Sequence, residues 1–423
     1  MEDYKSLSEE ELKKIYDELI NQYSYYQSLN LSLNMARGKP HFNQVSESLA
    51  LLDVLNSKND YTQYEDYFNY GLLDGTDEAK QLFADILGVS KEHIIVYGNS
   101  SLTIMFDQVA RGYTHGYLGH TPWCQLDKVK FLCPVPGYDR HFAITERFGI
   151  EMINIPFNDE GPDMDLVEQY VSNDESVKGM WCVPQYSNPN GITYSDNTIK
   201  RLAALKPAAK DFRLFYDNAY IVHHIYDEQD HVYNIFDACK ETGNEDMIFE
   251  FTSTSKITIP GSGVAAMAMS LNNKKDILEH MTVQSISHDK LNQLRHALYF
   301  KDIDAVYKHM EKQAEILRPK FELTDQCLEK ELGGLGICSW SRPLGGYFVS
   351  FESLEGCAKD IVRKCKEAGV MLTDAGATYP YKKDPKDTNI RIAPSYPSLD
   401  ELKLALDIFT LCVKIVSIEK ILN

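Results

Sequence analysis

Apolar residues follow two rhythms along the 423-residue chain. Near the start, Leu12, Ile15, Leu19 and Ile20 recur at helical intervals, and Ser8 stands three residues before Glu11, the spacing of a capping box. This predicts an opening amphipathic helix. From about residue 80 to 270 the rhythm becomes short apolar runs, at 93–97, 130–134, 152–156, 180–183, 214–216, 247–251 and 264–269. Most are apolar at successive positions rather than alternate ones, as strands covered on both faces are. Helix-like stretches at 103–111, 165–171 and 196–205 lie between them. Such alternation predicts an α/β fold, with a mostly parallel seven-stranded sheet sandwiched by helices. After about residue 272 a long helix-compatible stretch, 307–331, leads into Gly-rich and aromatic segments with strand-like pieces. The expected division is a large α/β domain over 48–305 and a smaller α+β domain formed by 1–47 with 306–423.

Charge narrows the classes. Sixty-two acidic against 43 basic side chains give a net charge of −19, which repels nucleic-acid phosphates and anionic lipid. No apolar run approaches the roughly 18 residues needed to span a bilayer. The first eight residues have neither the cationic nor the apolar region of a signal peptide, so a cytoplasmic location is expected. Nine cysteines, an odd number without a C-x-x-C pair, read as reduced thiols rather than a disulfide frame or zinc site. His223, His224, Asp227 and His231 lack the H-E-x-x-H arrangement and read as a solvated helix end and loop, so no metal is expected.

In open α/β sheets, chemistry gathers at the carboxyl ends of the strands. Asp217 directly follows the apolar run 214–216; a carboxylate there must be paired, hydrogen-bonded or solvated, or it is a turn acid or helix cap. Four hydroxyl residues at 252–255 precede Lys256, a donor cluster suited to a phosphate dianion. A desolvated lysine there would form a Schiff base with an aldehyde; a plain polar loop with a surface lysine is the alternative. Gly98, Asn99, Ser100 and Ser101 open a helix and offer donors to an anion. Asn188 lies in a turn-rich stretch after the run 180–183. Pro260–Gly263 lacks the G-K-[S/T] ending of a phosphate loop, and Gly333-Gly334 carries no dinucleotide fingerprint.

Taken in order, Tyr70, Asn99-Ser100-Ser101, Tyr138, Asn188-Pro189, Asp217-x-x-Tyr220, Ser253-x-x-Lys256 and Arg391 resemble the fold-type I pyridoxal-phosphate aminotransferases over nearly the whole chain. Asn-Met-Ala-Arg-Gly-Lys-Pro at 34–40, Tyr-Gly-Leu-Leu-Asp-Gly-Thr at 70–76, Gly-Asn-Ser-Ser-Leu-Thr at 98–103 and Asp-Lys-Leu-Asn-Gln-Leu-Arg-His at 289–296 resemble the atypical bacterial aspartate aminotransferases in particular. The resemblance implies that Lys256 holds pyridoxal 5'-phosphate as a Schiff base and then moves the substrate α-proton. It implies that Asp217 pairs with the ring nitrogen, Tyr220 and Asn188 bond the phenolate oxygen, and Tyr138 stacks on the ring. Ser100, Ser101, Ser253 and Ser255 would hold the phosphate, with Tyr70 supplied by the partner in a homodimer. Arg391 would fork onto the substrate α-carboxylate, approached also by the backbone of Gly38 and by Asn188. The implied activity is ping-pong transamination between L-aspartate and 2-oxoglutarate; the alternatives are other amino-acid substrates, or a β-lyase or decarboxylase on the same fold.

Two features depart from the class. It places a phosphate-binding arginine eight residues after the lysine, where this chain has Val264. Its partner-subunit arginine for the distal carboxylate has no direct match, and Lys290, Arg295 and Arg37 are the expected candidates.

Overall fold

The computed structural model of the chain describes residues 2–423. The opening helix runs Glu9–Ser28, and its capping box forms as the spacing predicts. Ser8 Oγ accepts from the Glu11 N–H at 3.4 Å, and Glu11 Oε2 accepts from the Ser8 N–H at 2.8 Å.

All seven apolar runs are strands, and a two-residue strand adds an eighth at one edge. They are β1 (Ile94–Val96), β2 (Lys130–Val135), β3 (Glu151–Asn158), β4 (Gly161–Pro162), β5 (Val177–Cys182), β6 (Arg213–Asp217), β7 (Ile248–Ser253) and β8 (Ala265–Met269). The order is β1-β8-β7-β6-β5-β2-β3-β4. Neighbours from β7 to β3 are parallel, β8 runs against both β1 and β7, and β4 folds back on β3. The predicted helices appear as Ser101–Thr114, Met164–Asn173 and Asp196–Ala203. Alternate strand residues enter two different cores: Leu214, Tyr216 and Ile248 belong to one, and Phe215, Phe249 and Phe251 to the other. Both faces are therefore covered, which explains why the strands read as continuous apolar runs.

A third core joins the helices Glu9–Ser28, Ile303–Leu332 and Leu399–Leu422 to an antiparallel sheet of β9 (Cys338–Trp340), β10 (Val349–Ser353) and β11 (Asn389–Ile392). The start of the chain is sewn into this part. Leu33–Asn34 pairs in parallel with Val370–Met371, and the Ala393 N–H donates to Met35 O at 3.2 Å. Five connections leave the carboxyl ends of β1, β2, β5, β6 and β7 at one edge of the large sheet, and Ser100, Tyr138, Asn188, Asp217 and Lys256 lie on or at the start of them. Among the described residues, no helix is long and apolar enough to cross a membrane.

Candidate active site

A cleft of about 540 Å³ opens at that edge, between the large sheet and the C-terminal part. Asp217, the last residue of β6, is buried in its wall. Its Oδ2 is 3.0 Å from His141 Nε2, while Oδ1 has no partner. The helix Asp139–Arg147 positions His141, whose ring lies on Trp181 of β5 with centroids 4.4 Å apart. Tyr138 caps the same helix and meets the His141 ring edge-on at 4.9 Å. Burial, together with Asp217 and Asp139, pushes the Tyr138 hydroxyl up to about 12. Tyr220 is buried one turn beyond Asp217, and burial likewise raises its hydroxyl.

Lys256 enters the same cleft, its Nζ 5.0 Å from the centre of the Tyr220 ring. Desolvation pulls its ammonium below the usual lysine range, and the charge of Asp217 opposes this. Its backbone is fixed from the far side: Tyr347 donates its hydroxyl to Lys256 O at 3.2 Å and accepts from Gln44 Nε2 at 3.2 Å.

Arg391, in the middle of β11, lines the same cleft as Lys256. It donates from Nη1 to Asp139 Oδ1 at 2.9 Å and to Asn188 Oδ1 at 3.3 Å, and from Nη2 to Thr373 Oγ1 at 3.1 Å. Beneath the guanidinium, at 4.8 Å, lies the Phe348 ring. Gly38 rests on that same ring: a Cβ there would come within 2.3 Å of Phe348 Cζ, so only glycine lets the N-terminal segment approach this closely.

The hydroxyl cluster forms by convergence of three segments. The Tyr97 N–H donates to Ala265 O and the Ala265 N–H to Gly98 O, Ser255 Oγ donates to Asn99 O at 2.8 Å, and Gly263 packs on Ser255. Ser253 ends β7, and Ser100 and Ser101 sit at the N-terminus of the 14-residue helix Ser101–Thr114. Ser100 Oγ accepts from the Thr103 N–H at 3.4 Å.

Other candidates lie elsewhere. Tyr70 is 79 % exposed and outside this chain's own cleft. Lys290 is buried beneath the Tyr70 loop, donating to the carbonyls of Asp66, Asn69 and Gly71. An ammonium has three donors, so Lys290 has none left for a substrate carboxylate, which corrects the expectation for it. Arg295 is bound to Ser262 and Asn292 beside the hydroxyl cluster, likewise away from the cleft lining. Arg37 does line the cleft, joined by Lys39 and Arg140, two cations the sequence did not single out. Lys39 lies 3.9 Å over the Tyr396 ring. Sequence reasoning also missed His141, Thr373, Phe348 and the Gln44–Tyr347 pair; the one available signal was the closeness of His141 to Tyr138. Among the described residues no group of three or more His, Cys, Asp or Glu side chains is arranged to hold a metal ion.

A family model described as aspartate amino-transferase matches residues 7–423. The chain belongs to this family. The family member named aspartate aminotransferase in Corynebacterium glutamicum is 43% identical over 420 residues, covering 99% of this chain and 95% of that one. A crystal structure of an aspartate transaminase from the same organism matches with a TM-score of 0.95 at 41% identity, covering 99% of each chain. Pyrococcus horikoshii kynurenine aminotransferase shares the fold alone, with a TM-score of 0.74 at 18% identity over 93% of this chain and 94% of that one. The chain is an aminotransferase of fold-type I.

Proposed function

We propose that this aminotransferase moves the amino group of L-aspartate to 2-oxoglutarate by a ping-pong route, with pyridoxal 5'-phosphate as its cofactor. The observation that carries this reading is the unpartnered Asp217 Oδ1, a buried carboxylate oxygen in the same cleft as Lys256 and Arg391. A buried acceptor of this kind calls for a donor, and a protonated ring nitrogen is one. When bound, the cofactor supplies an aldehyde that condenses with amines and a ring that accepts the electron pair left at the substrate α-carbon.

The chain's own residues do the rest. Desolvation favours the neutral amine of Lys256, which can then act as nucleophile and later carry the α-proton. Arg391 offers a planar fork to the α-carboxylate, held in place by Asn188 and Thr373, with the Gly38 backbone close by. Tyr138 provides a ring face, and Tyr220 and Asn188 provide hydrogen bonds to the cofactor's phenolate oxygen. Ser100, Ser101, Ser253 and Ser255, with the amides at the start of the helix Ser101–Thr114, suit a phosphate. Arg37 and Arg140 are exposed cations on the cleft rim and suit the distal carboxylate of aspartate.

A homodimer accounts for Tyr70. Its ring is exposed, as are Phe68, Val283 and Ile286, and a second copy that covered these side chains would deliver Tyr70 to the neighbouring phosphate site. Nine free cysteines fit a reducing compartment, the cytoplasm.

Borohydride reduction of the protein incubated with pyridoxal phosphate, followed by peptide mass mapping, tests the reading. The label is expected on Lys256 and absent from Lys256→Ala. A label on another lysine, or none, overturns it. Release of pyruvate, ammonia or carbon dioxide from aspartate without added 2-oxoglutarate would instead assign a lyase or decarboxylase reaction.

A further inference from the structure

Behind the turn from Asp217 to Tyr220 lies a second carboxyl group that this chemistry leaves unused. Glu250 of β7 is 2 % exposed and pairs in register with Tyr216, on the sheet face opposite Asp217. Its Oε1 accepts from Asn218 Nδ2 at 2.8 Å. Glu250 Oε2 and Asn218 Oδ1 are both buried and both without a partner. A carboxyl group and a primary amide thus share one hydrogen bond, and each keeps one orphan oxygen.

Those two orphans have a common remedy. An ionised carboxylate is an acceptor only, so it would leave both oxygens unsatisfied. A proton on Oε2 would donate to Asn218 Oδ1 and close a two-bond ring. Among the described residues nothing charged stands against this carboxyl. Tyr216 of β6 and Ala268 of β8 flank it, and around Tyr216 lie Tyr194, Cys182 and Cys239, each kept neutral by burial. With only the Asn218 bond opposing it, burial raises the Glu250 carboxyl to about 7.

We propose that Glu250 is a positioning residue: in its protonated form it closes a two-bond ring with the Asn218 amide and so fixes the turn that carries Asp217 and Tyr220. The Asn218 backbone is already pinned, its N–H donating to Phe251 O at 2.8 Å. The ring pins the side chain as well, so the residue between the catalytic acid and Tyr220 has no freedom to rotate. Loss of the proton opens the ring and leaves both buried oxygens without a donor. The effect on catalysis rests on the active-site reading above; the protonated ring itself does not.

Glu250→Gln keeps both bonds and cannot ionise, since its Nε2 donates where the proton did. Glu250→Leu leaves the Asn218 amide unpaired. The folded protein keeps a proton that the unfolded chain releases near its ordinary carboxyl pKa, so the native state loses stability as pH rises from about 5 to about 8. The urea midpoint of the wild type should therefore fall over that interval relative to Glu250→Gln. An infrared difference spectrum of wild type minus Glu250→Gln should show a protonated carboxyl band at the lower pH that is gone at the higher one. In the loaded enzyme, Glu250→Gln should hold its kcat toward high pH where the wild type declines, while Glu250→Leu should lose about tenfold or more in kcat/KM at every pH. A urea difference independent of pH, a carboxylate band at pH 5, or failure of Glu250→Gln to fold would each overturn the proposal. The urea and infrared measurements need no cofactor, so they stand even if Lys256 takes no label.

Discussion

His141 Nε2 stands 3.0 Å from Asp217 Oδ2, and the same imidazole lies 8° from parallel to the Trp181 indole. The stack fixes the ring, the ring fixes one carboxylate oxygen, and the other oxygen has no partner. His141→Phe keeps the stack and removes the bond. It should weaken pyridoxal phosphate binding by roughly 10–100-fold and cost about 1–3 kcal/mol of stability, the usual penalty for an orphaned buried acceptor. Cofactor titration and urea unfolding read the two effects.

Arg391→Lys loses the planar fork. The α-carboxylate is common to all amino acids, so kcat/KM should fall by about 100-fold for aspartate and alanine alike, leaving their ratio unchanged. Asp139→Asn, which removes the charge competing for Arg391, should lower KM for both.

Arg37→Gln and Arg140→Gln test the distal carboxylate. Each should reduce the preference for aspartate over alanine, and the more important of the two by about tenfold or more, the value of a charge-assisted hydrogen bond. Steady-state kinetics with both amino acids decide the matter; an unchanged ratio in the double variant would place the clamp on another chain.

Lys290→Met should leave that ratio alone. It should instead loosen the loop at 66–71, whose carbonyls lose their common donor. Hydrogen exchange over this loop should quicken, with about 1–3 kcal/mol lost in unfolding.

His223 gives a pH prediction of defined sign. Its ring is buried with both nitrogens unpartnered, and burial, aided by Lys256, pushes it down to about 3. The unfolded chain binds a proton near pH 6.5 that the native state refuses, so this residue adds stability above that pH and loses it as pH falls toward about 3. His223→Phe should flatten the acid side of the stability curve.

The sheet was legible because covered strands leave unbroken apolar runs, as at 214–216 and 247–251, and because polar residues at their carboxyl ends stand out against those runs. Asp217 and Lys256 stood out as candidates in this way, and both line the cleft. His141 was not, since it sits within a helix 76 residues from Asp217 and only packing on Trp181 brings it there. Thr373 comes from an irregular stretch with no period to read. Lys290 shows the opposite failure: a sequence displays a charge but not the three carbonyls that consume it. Asn218 and Glu250 look unremarkable in the linear chain, because their relation depends on which strands are neighbours.

Thr373 Oγ1, which accepts from Arg391, donates its own hydrogen bond to Ala36 O, 337 positions away. A loop that long closes slowly and late. The cleft around Arg391 therefore cannot take shape on the ribosome until nearly the whole polypeptide has emerged, which makes it a late feature in the maturation of each molecule.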